Sequence, residues 1–194
     1  HNDLVEAITA VNDNVIIVLS CGSPVQLPWL DKVKAVLNIY LGGEAAGEAT
    51  ADLLFGKVNP SGKLAETFPY ALEDNPSYKY FQMGPRTLEH RESIYVGYRY
   101  FDKAGKEVRF PFGYGLSYTE FEYGNLSVEK TDKGVKVTFE VKNTGGRDGA
   151  EIAQVYVKDI ESTIFREEKA LKGFAKVFLK KGESKTVEIL LDDR

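Results

Sequence analysis

Apolar positions recur along this chain with two different periods, and the change falls near its middle. Leu4, Val5, Ile8 and Val11 repeat at helical spacing, which predicts an amphipathic helix over Asn2 to Val11. Val15 to Leu19 is a continuous, mostly β-branched run between Asn14 and Ser20, the pattern of a parallel strand buried on both faces. Val33 to Leu41 predicts a second strand. Gly42-Gly43-Glu44 then opens an alanine-rich helix over Ala45 to Phe55, closed by Gly56 as a C-cap glycine would close it. Leu64 to Phe68 predicts a third strand, stopped by Pro69. Helices interspersed with such strands make this stretch an α/β unit.

From about residue 121 the period shortens to two. Strands are predicted around Leu126 to Val128, Val135 to Val141, Ile152 to Val157, Phe174 to Leu179 and Thr186 to Leu191. Asn143-Thr-Gly145-Gly146 and Lys180-Lys-Gly182-Glu183 are turn signals between them. The spacing is that of an antiparallel, immunoglobulin-like sandwich, with about five strands where a complete one has about seven. Between the two patterns lies a stretch rich in Tyr, Gly and Pro, with loop signals at Asn75-Pro76 and Gly84-Pro85. Its aromatic content predicts an ordered connector, since a disordered linker is poor in such residues. The sandwich ends short, and the α/β part opens on a helix with no preceding strand. Both ends are expected to continue into something larger.

Composition narrows the chemistry. The chain has 194 residues, 43% of them hydrophobic and 28% charged, with a formal net charge of −4. This balance carries no basic footprint for nucleic acid. No apolar run approaches the roughly 20 residues of a membrane span. No signal-peptide pattern stands at residue 1, so a cytoplasmic location is the expectation. Cys21 is the one cysteine, which excludes an internal disulfide, and His1 and His90 are the only imidazoles, which argues against a zinc site. No cofactor or metal is expected. Carboxylates are left as the abundant groups for acid–base work.

Each local motif has an ordinary explanation beside a functional one. Cys21-Gly22-Ser23-Pro24 follows a buried strand, where α/β sheets line ligand crevices; with no base near it in sequence, Cys21 reads first as a small buried residue. Gly42 to Gly47 sits at a strand-to-helix turn but lacks both the GxGxxG spacing and the Lys-Ser/Thr of a P-loop. Glu44 there would repel phosphate, and with Glu48 it makes a solvated helix edge. Glu89, His90, Arg91 and Glu92 form a polar cluster before an aromatic run. Two carboxylates near aromatics can act on a glycosidic bond, and they also occur as ordinary surface ion pairs.

Taken in order, longer runs are distinctive. They are Ser23-Pro-Val25 with Pro28-Trp29-Leu30, Gly43-Glu44 leading into Ala51-Asp52-Leu-Leu-Phe-Gly56, and Val58-Asn-Pro-Ser-Gly-Lys-Leu64 with Thr67-Phe-Pro69. Val96-Gly-Tyr-Arg-Tyr-Phe-Asp102 and Phe110-Pro-Phe-Gly-Tyr-Gly-Leu-Ser-Tyr118 follow. Val141-Lys-Asn-Thr-Gly145, Gln154-Val-Tyr-Val157 and Leu171-Lys-Gly-Phe174 complete the series. Through these runs nearly the whole chain resembles the multi-domain β-glucosidases of glycoside hydrolase family 3. The resemblance implies a retaining hydrolase releasing terminal β-linked sugars, usually glucose, built from a TIM-like barrel, an α/β sandwich and a fibronectin type III-like domain. Residues 1–118 would be the C-terminal part of the α/β sandwich, with the connector over about 70–118. Residues 119–194 would be the fibronectin-like domain without its final strands.

The same resemblance implies that both catalytic carboxylates lie elsewhere, the nucleophilic Asp on the barrel and the acid/base Glu upstream of His1. No catalytic residue is assigned here, and Glu89 and Glu92 are candidates for the rim of the substrate pocket. Two departures from the family pattern, Ser93 in the Glu92-Ser93-Ile94 run and Glu167 after Arg166, leave the sugar open. The expected role is a C-terminal fragment, inactive alone, that supports the enzyme around a β-glucoside substrate. The alternatives are a carbohydrate-binding module stacking sugars on exposed aromatics, and an interaction scaffold. The expected partner is the missing barrel and N-terminal α/β portion, or another copy of the chain, burying well over ~1,000 Å².

Overall fold

The computed structural model describes residues 1–81, 84 and 86–192, so Pro85 of the Gly84-Pro85 loop signal lies outside the described residues. Helix α1 (Asn2–Thr9) ends two residues before the expected Val11, and strand β1 (Ile16–Leu19) follows. Strand β2 (Ala35–Asn38) pairs with it in parallel, Ile17 beside Val36. Ile17, Leu19 and Val36 turn inward onto Leu27, Trp29 and Phe68, with Val5 of α1 closing the cluster. Full burial of such a side chain contributes about 1.5–3 kcal/mol. The indole Nε1 of Trp29 donates to Asn2 Oδ1 at 3.0 Å, which gives the buried ring its polar partner and pins the start of α1.

Two expectations fail here. β1 is not covered on both faces, because Ile16 and Val18 remain 51% and 38% exposed within this chain. Leu64 to Phe68 is not a strand and bends at Ala65 and Glu66. It meets Phe110 to Tyr114 only at intervals, with Leu64 N–H donating to Tyr114 O at 2.7 Å and Phe68 N–H to Phe110 O at 2.8 Å. Pro69 and Pro111 have no N–H, so a regular ladder cannot run through either segment. The parallel sheet therefore has two strands among the described residues.

Helix α2 (Ala46–Leu54) forms as the pattern predicts, and Gly56 just beyond it takes φ +69°, the left-handed turn that ends a helix. The described part of the connector holds a helix the apolar pattern did not announce, α3 (Tyr98–Ala104), whose Phe101 is buried.

Five strands follow, at the five places predicted but longer: β3 (Phe121–Thr131), β4 (Gly134–Asn143), β5 (Gly149–Val157), β6 (Ala170–Leu179) and β7 (Ser184–Leu191). They form an antiparallel sheet β3-β4-β7 facing the antiparallel pair β5-β6. Val137, Phe139, Val141, Ala153, Leu179, Val187 and Ile189 fill the space between. Asn143 is fully buried at the end of β4 and is satisfied on both sides of its amide. Oδ1 accepts from Thr119 Oγ1 at 2.7 Å, and Nδ2 donates to the carbonyls of Arg147 at 2.7 Å and Leu179 at 3.3 Å. One side chain thus closes the Asn143-Thr-Gly145 turn against both sheets.

The two parts meet along a polar seam. Lys63 pairs with Glu151 at 3.1 Å, both side chains largely buried, and the Tyr123 hydroxyl donates to the same carboxylate at 3.1 Å. Asn59 donates to Asp148 O at 3.1 Å and accepts from Ser117 Oγ at 2.8 Å. Farther along, Glu168 accepts from Lys103 of α3 and from Lys158, each at 2.9 Å, and Lys169 stands 3.3 Å from Asp102.

Candidate functional site

The loop before α3 carries the carboxylates singled out by their pattern. Glu89 is exposed, and its Oε2 accepts from Arg91 Nε at 2.6 Å. That bond holds the Arg91 guanidinium more firmly protonated, and the same group lies 4.8 Å above the Tyr80 ring. Glu92 points the other way. Its side chain is 10% exposed, with Oε1 3.5 Å from Nδ1 of His90. Its Oε2 is buried and meets no hydrogen-bond donor among the described residues. Each carboxylate is thus held by a neighbour on its own loop, and among the described residues no hydrogen bond joins the two. Ser93, which follows Glu92, takes a left-handed φ of +52°, an uncommon state for a residue with a side chain, and so turns the loop sharply at this point.

The aromatics around this loop mostly pack on each other. Tyr98 stacks on Phe112 with ring centres 4.8 Å apart, and Phe110 stacks on Tyr114 at 5.1 Å. The Tyr98 hydroxyl also accepts from the backbone N–H of Leu171 at 2.9 Å. Beside Tyr95 a shallow depression of about 360 Å³ opens against the β5–β6 loop, lined by Lys103, Lys158, Phe165, Arg166 and Glu168.

A second polar group, missed in the sequence except for Cys21, gathers at the C-terminal ends of β1 and β2. Ser20 Oγ donates to Tyr40 O at 3.1 Å, and Cys21 Sγ lies 3.9 Å from Asn38 Oδ1. Tyr40 has φ +50°, and burial, with the Glu66 carboxylate close by, raises the pKa of its phenol. Asn38 Nδ2, Glu66 Oε2 and Thr67 Oγ1 are buried there without partners among the described residues. Cys21 is half-buried in this group. The signal in the sequence was positional only, the ends of two parallel strands.

Of the two glycines before α2, Gly42 is accounted for by packing and Gly43 by its left-handed φ of +68°. A Cβ at Gly42 would stand 2.6 Å from that of Ala46, so the turn needs the missing side chain whether or not an anion binds. Among the described residues no three His, Cys, Asp or Glu side chains gather as a metal site would require.

Residues 1–118 match the glycosyl hydrolase family 3 C-terminal domain, and residues 151–194 match a fibronectin type III-like domain. The chain is 55% identical to thermostable beta-glucosidase B of Acetivibrio thermocellus, an alignment covering 100% of the chain and 26% of that protein. It is 46% identical to an exo-alpha-(1->6)-L-arabinopyranosidase of Bifidobacterium breve, covering 98% of the chain and 26% of that protein. The crystal structure of the beta-glucosidase of Kluyveromyces marxianus in complex with glucose superposes with a TM-score of 0.94 at 44% identity, covering 98% of the chain and 23% of that one. The chain therefore spans about a quarter of the length of the relatives it matches.

Proposed function

This chain belongs to glycoside hydrolase family 3, and from that membership we propose that it is the C-terminal portion of a retaining β-glucosidase acting on terminal β-linked glucosyl residues. The observation that carries the proposal is full-length similarity at 55% identity to a relative named a beta-glucosidase, over only 26% of that relative. The arabinopyranosidase relative widens the sugars such a scaffold accepts, so the glucosyl preference rests on the weight of the beta-glucosidase likenesses.

In this proposal the chain supplies scaffold and rim, not the reacting pair. A retaining glycosidase places its two carboxyl groups about 5–5.5 Å apart, one as nucleophile and one as acid then base. Glu89 is engaged by Arg91, and Glu92 faces His90, so each carboxylate is tied to its own loop neighbour. The nucleophile and the acid/base would come from the barrel and the N-terminal α/β portion. Residues 1–118, with the connector from about 70, would complete the α/β sandwich, and residues 119–194 would brace it as a fibronectin-like sandwich. Glu89 and Glu92 would stand at the rim of the substrate pocket.

The test is hydrolysis of a chromogenic aryl β-glucoside by the chain alone and after addition of the N-terminal portion. Silence alone and turnover on addition is the expected result. Turnover by the chain alone would overturn the scaffold role and direct attention to Glu89 and Glu92.

A further inference from the structure

From Leu171 to Leu179 strand β6 alternates between two environments, with a shift of register against β5 at Lys172. Leu171, Gly173, Ala175, Val177 and Leu179 turn inward, while Lys172, Phe174, Lys176 and Phe178 are exposed. Phe174 and Phe178 stand 68% and 56% open to solvent on this outer face. Their partners across the ladder are Gln154 and Ala150 of β5, which share the face. The β5 side is already covered: Gln154 reaches Gly113 O at 3.0 Å, and Tyr156 packs edge-on against Tyr98. The seam between the two parts of the chain therefore runs over half of this face and stops, leaving a bare row of alternating cations and phenyl rings. Lys172, Lys176, Lys180 and Lys181 enter no ion pair among the described residues.

Lysines on an edge strand discourage pairing with other sheets. That role needs no phenyl rings, and two exposed ones between the lysines work against it. A second copy of the chain is a poor occupant, because a two-fold contact sets the row against itself and opposes like charges. The row fits a surface that is apolar where the rings land and carries carboxylates beside them. We propose that the Lys172–Phe174–Lys176–Phe178 row is the docking surface for an acidic-rimmed apolar face of the N-terminal portion of the hydrolase. The proposal rests on the preceding reading that such a portion exists. It is argued from the continuity of the row with the existing seam and from the three quarters of the relatives' length that must pack somewhere against this quarter.

Lysine acetylation read by mass spectrometry tests it. The two samples are the chain alone and a complete enzyme made by joining the N-terminal part of the Acetivibrio thermocellus relative to this chain. Lys172 and Lys176 should label as fast as exposed Lys133 in the chain alone and at least ~10-fold more slowly in the complete enzyme. Replacing both rings, Phe174→Ser with Phe178→Ser, should restore fast labelling of Lys176 in the complete enzyme. Labelling of Lys172 and Lys176 that stays equal to Lys133 in the complete enzyme overturns the proposal. Slow labelling in the chain alone, with a dimer on size exclusion, also overturns it, in favour of a second copy. Failure of the underlying functional reading shows separately, as absence of glucoside hydrolysis, and does not enter the labelling ratio.

Discussion

The side-chain amide of Gln154 on β5 donates to the carbonyl oxygen of Gly113 at 3.0 Å, joining the sandwich to the aromatic connector 41 residues earlier. Gly113 has φ +81°, and a Cβ there would collide with the Gln154 side chain, whose Oε1 already accepts from the Tyr156 hydroxyl at 2.6 Å. Gly113→Ala therefore meets backbone strain and displaces a bonded partner together. It should destabilise the protein by about 1–3 kcal/mol, read as a lower midpoint in thermal or urea unfolding. An unchanged midpoint would mean that the seam tolerates a shift here.

Asn143 satisfies groups from three segments at once, so Asn143→Ala should cost about 2–4 kcal/mol through the carbonyls and hydroxyl it strands. Asn143→Asp sets a carboxylate against two carbonyl oxygens in a buried site. Burial raises the pKa of the new carboxyl above its unfolded value near ~3.9. The added destabilisation should therefore be small in acid and grow as pH rises past that value, which unfolding curves at about pH 4 and 7 would separate.

Hydrogen bonds from Lys158 and Lys103 hold the Glu168 carboxyl at about 2, far below its ordinary 4.5. A depressed carboxylate pKa stabilises the fold above the unfolded value, and the stabilisation is lost as pH falls toward the folded one. Wild type should therefore exceed Glu168→Gln in melting temperature above about pH 5, and the two should converge between pH 4.5 and 2. The pair is partly exposed, so added salt should narrow the gap as well.

The Lys63–Glu151 pair is better shielded, with side chains 16% and 11% exposed. Glu151→Ala leaves the Lys63 ammonium with one remaining acceptor, Gly115 O at 2.8 Å, and removes the acceptor of the Tyr123 hydroxyl. A loss of about 2–3 kcal/mol is expected by chemical denaturation, more than for Lys136→Ala at the exposed Glu129 pair, where water screens the charges. Equal losses would place the seam in solvent-like surroundings.

Within a complete enzyme, Glu92→Gln should raise KM for an aryl β-glucoside several-fold while leaving the pH profile of kcat in place, because a rim residue binds without transferring a proton. A fall in kcat beyond about 10³-fold with a lost pH limb would instead make Glu92 part of the chemistry.

Local pattern and tertiary contact divide this protein between them. Period-two alternation located β3 to β7, and the alanine run ending at Gly56 located α2, because a strand's facing and a helix's stop are set within a few residues. The ordered motifs likewise sufficed for the family. Helix α3 escaped because Tyr98, Tyr100 and Phe101 favour strands in isolation, and only packing of Phe101 and the Tyr98–Phe112 stack tips the segment to helix. Leu64 to Phe68 erred the opposite way: its pattern suits a strand, but the segment it meets, Phe110 to Tyr114, contains Pro111, which has no N–H to offer a ladder. Lys63, Lys103 and Gly113, the partners that Glu151, Glu168 and Gln154 find across the seam, lie 88, 65 and 41 residues away. No local spacing encodes such pairs. They form only when two separately patterned parts dock and the water between them is replaced by specific donors and acceptors.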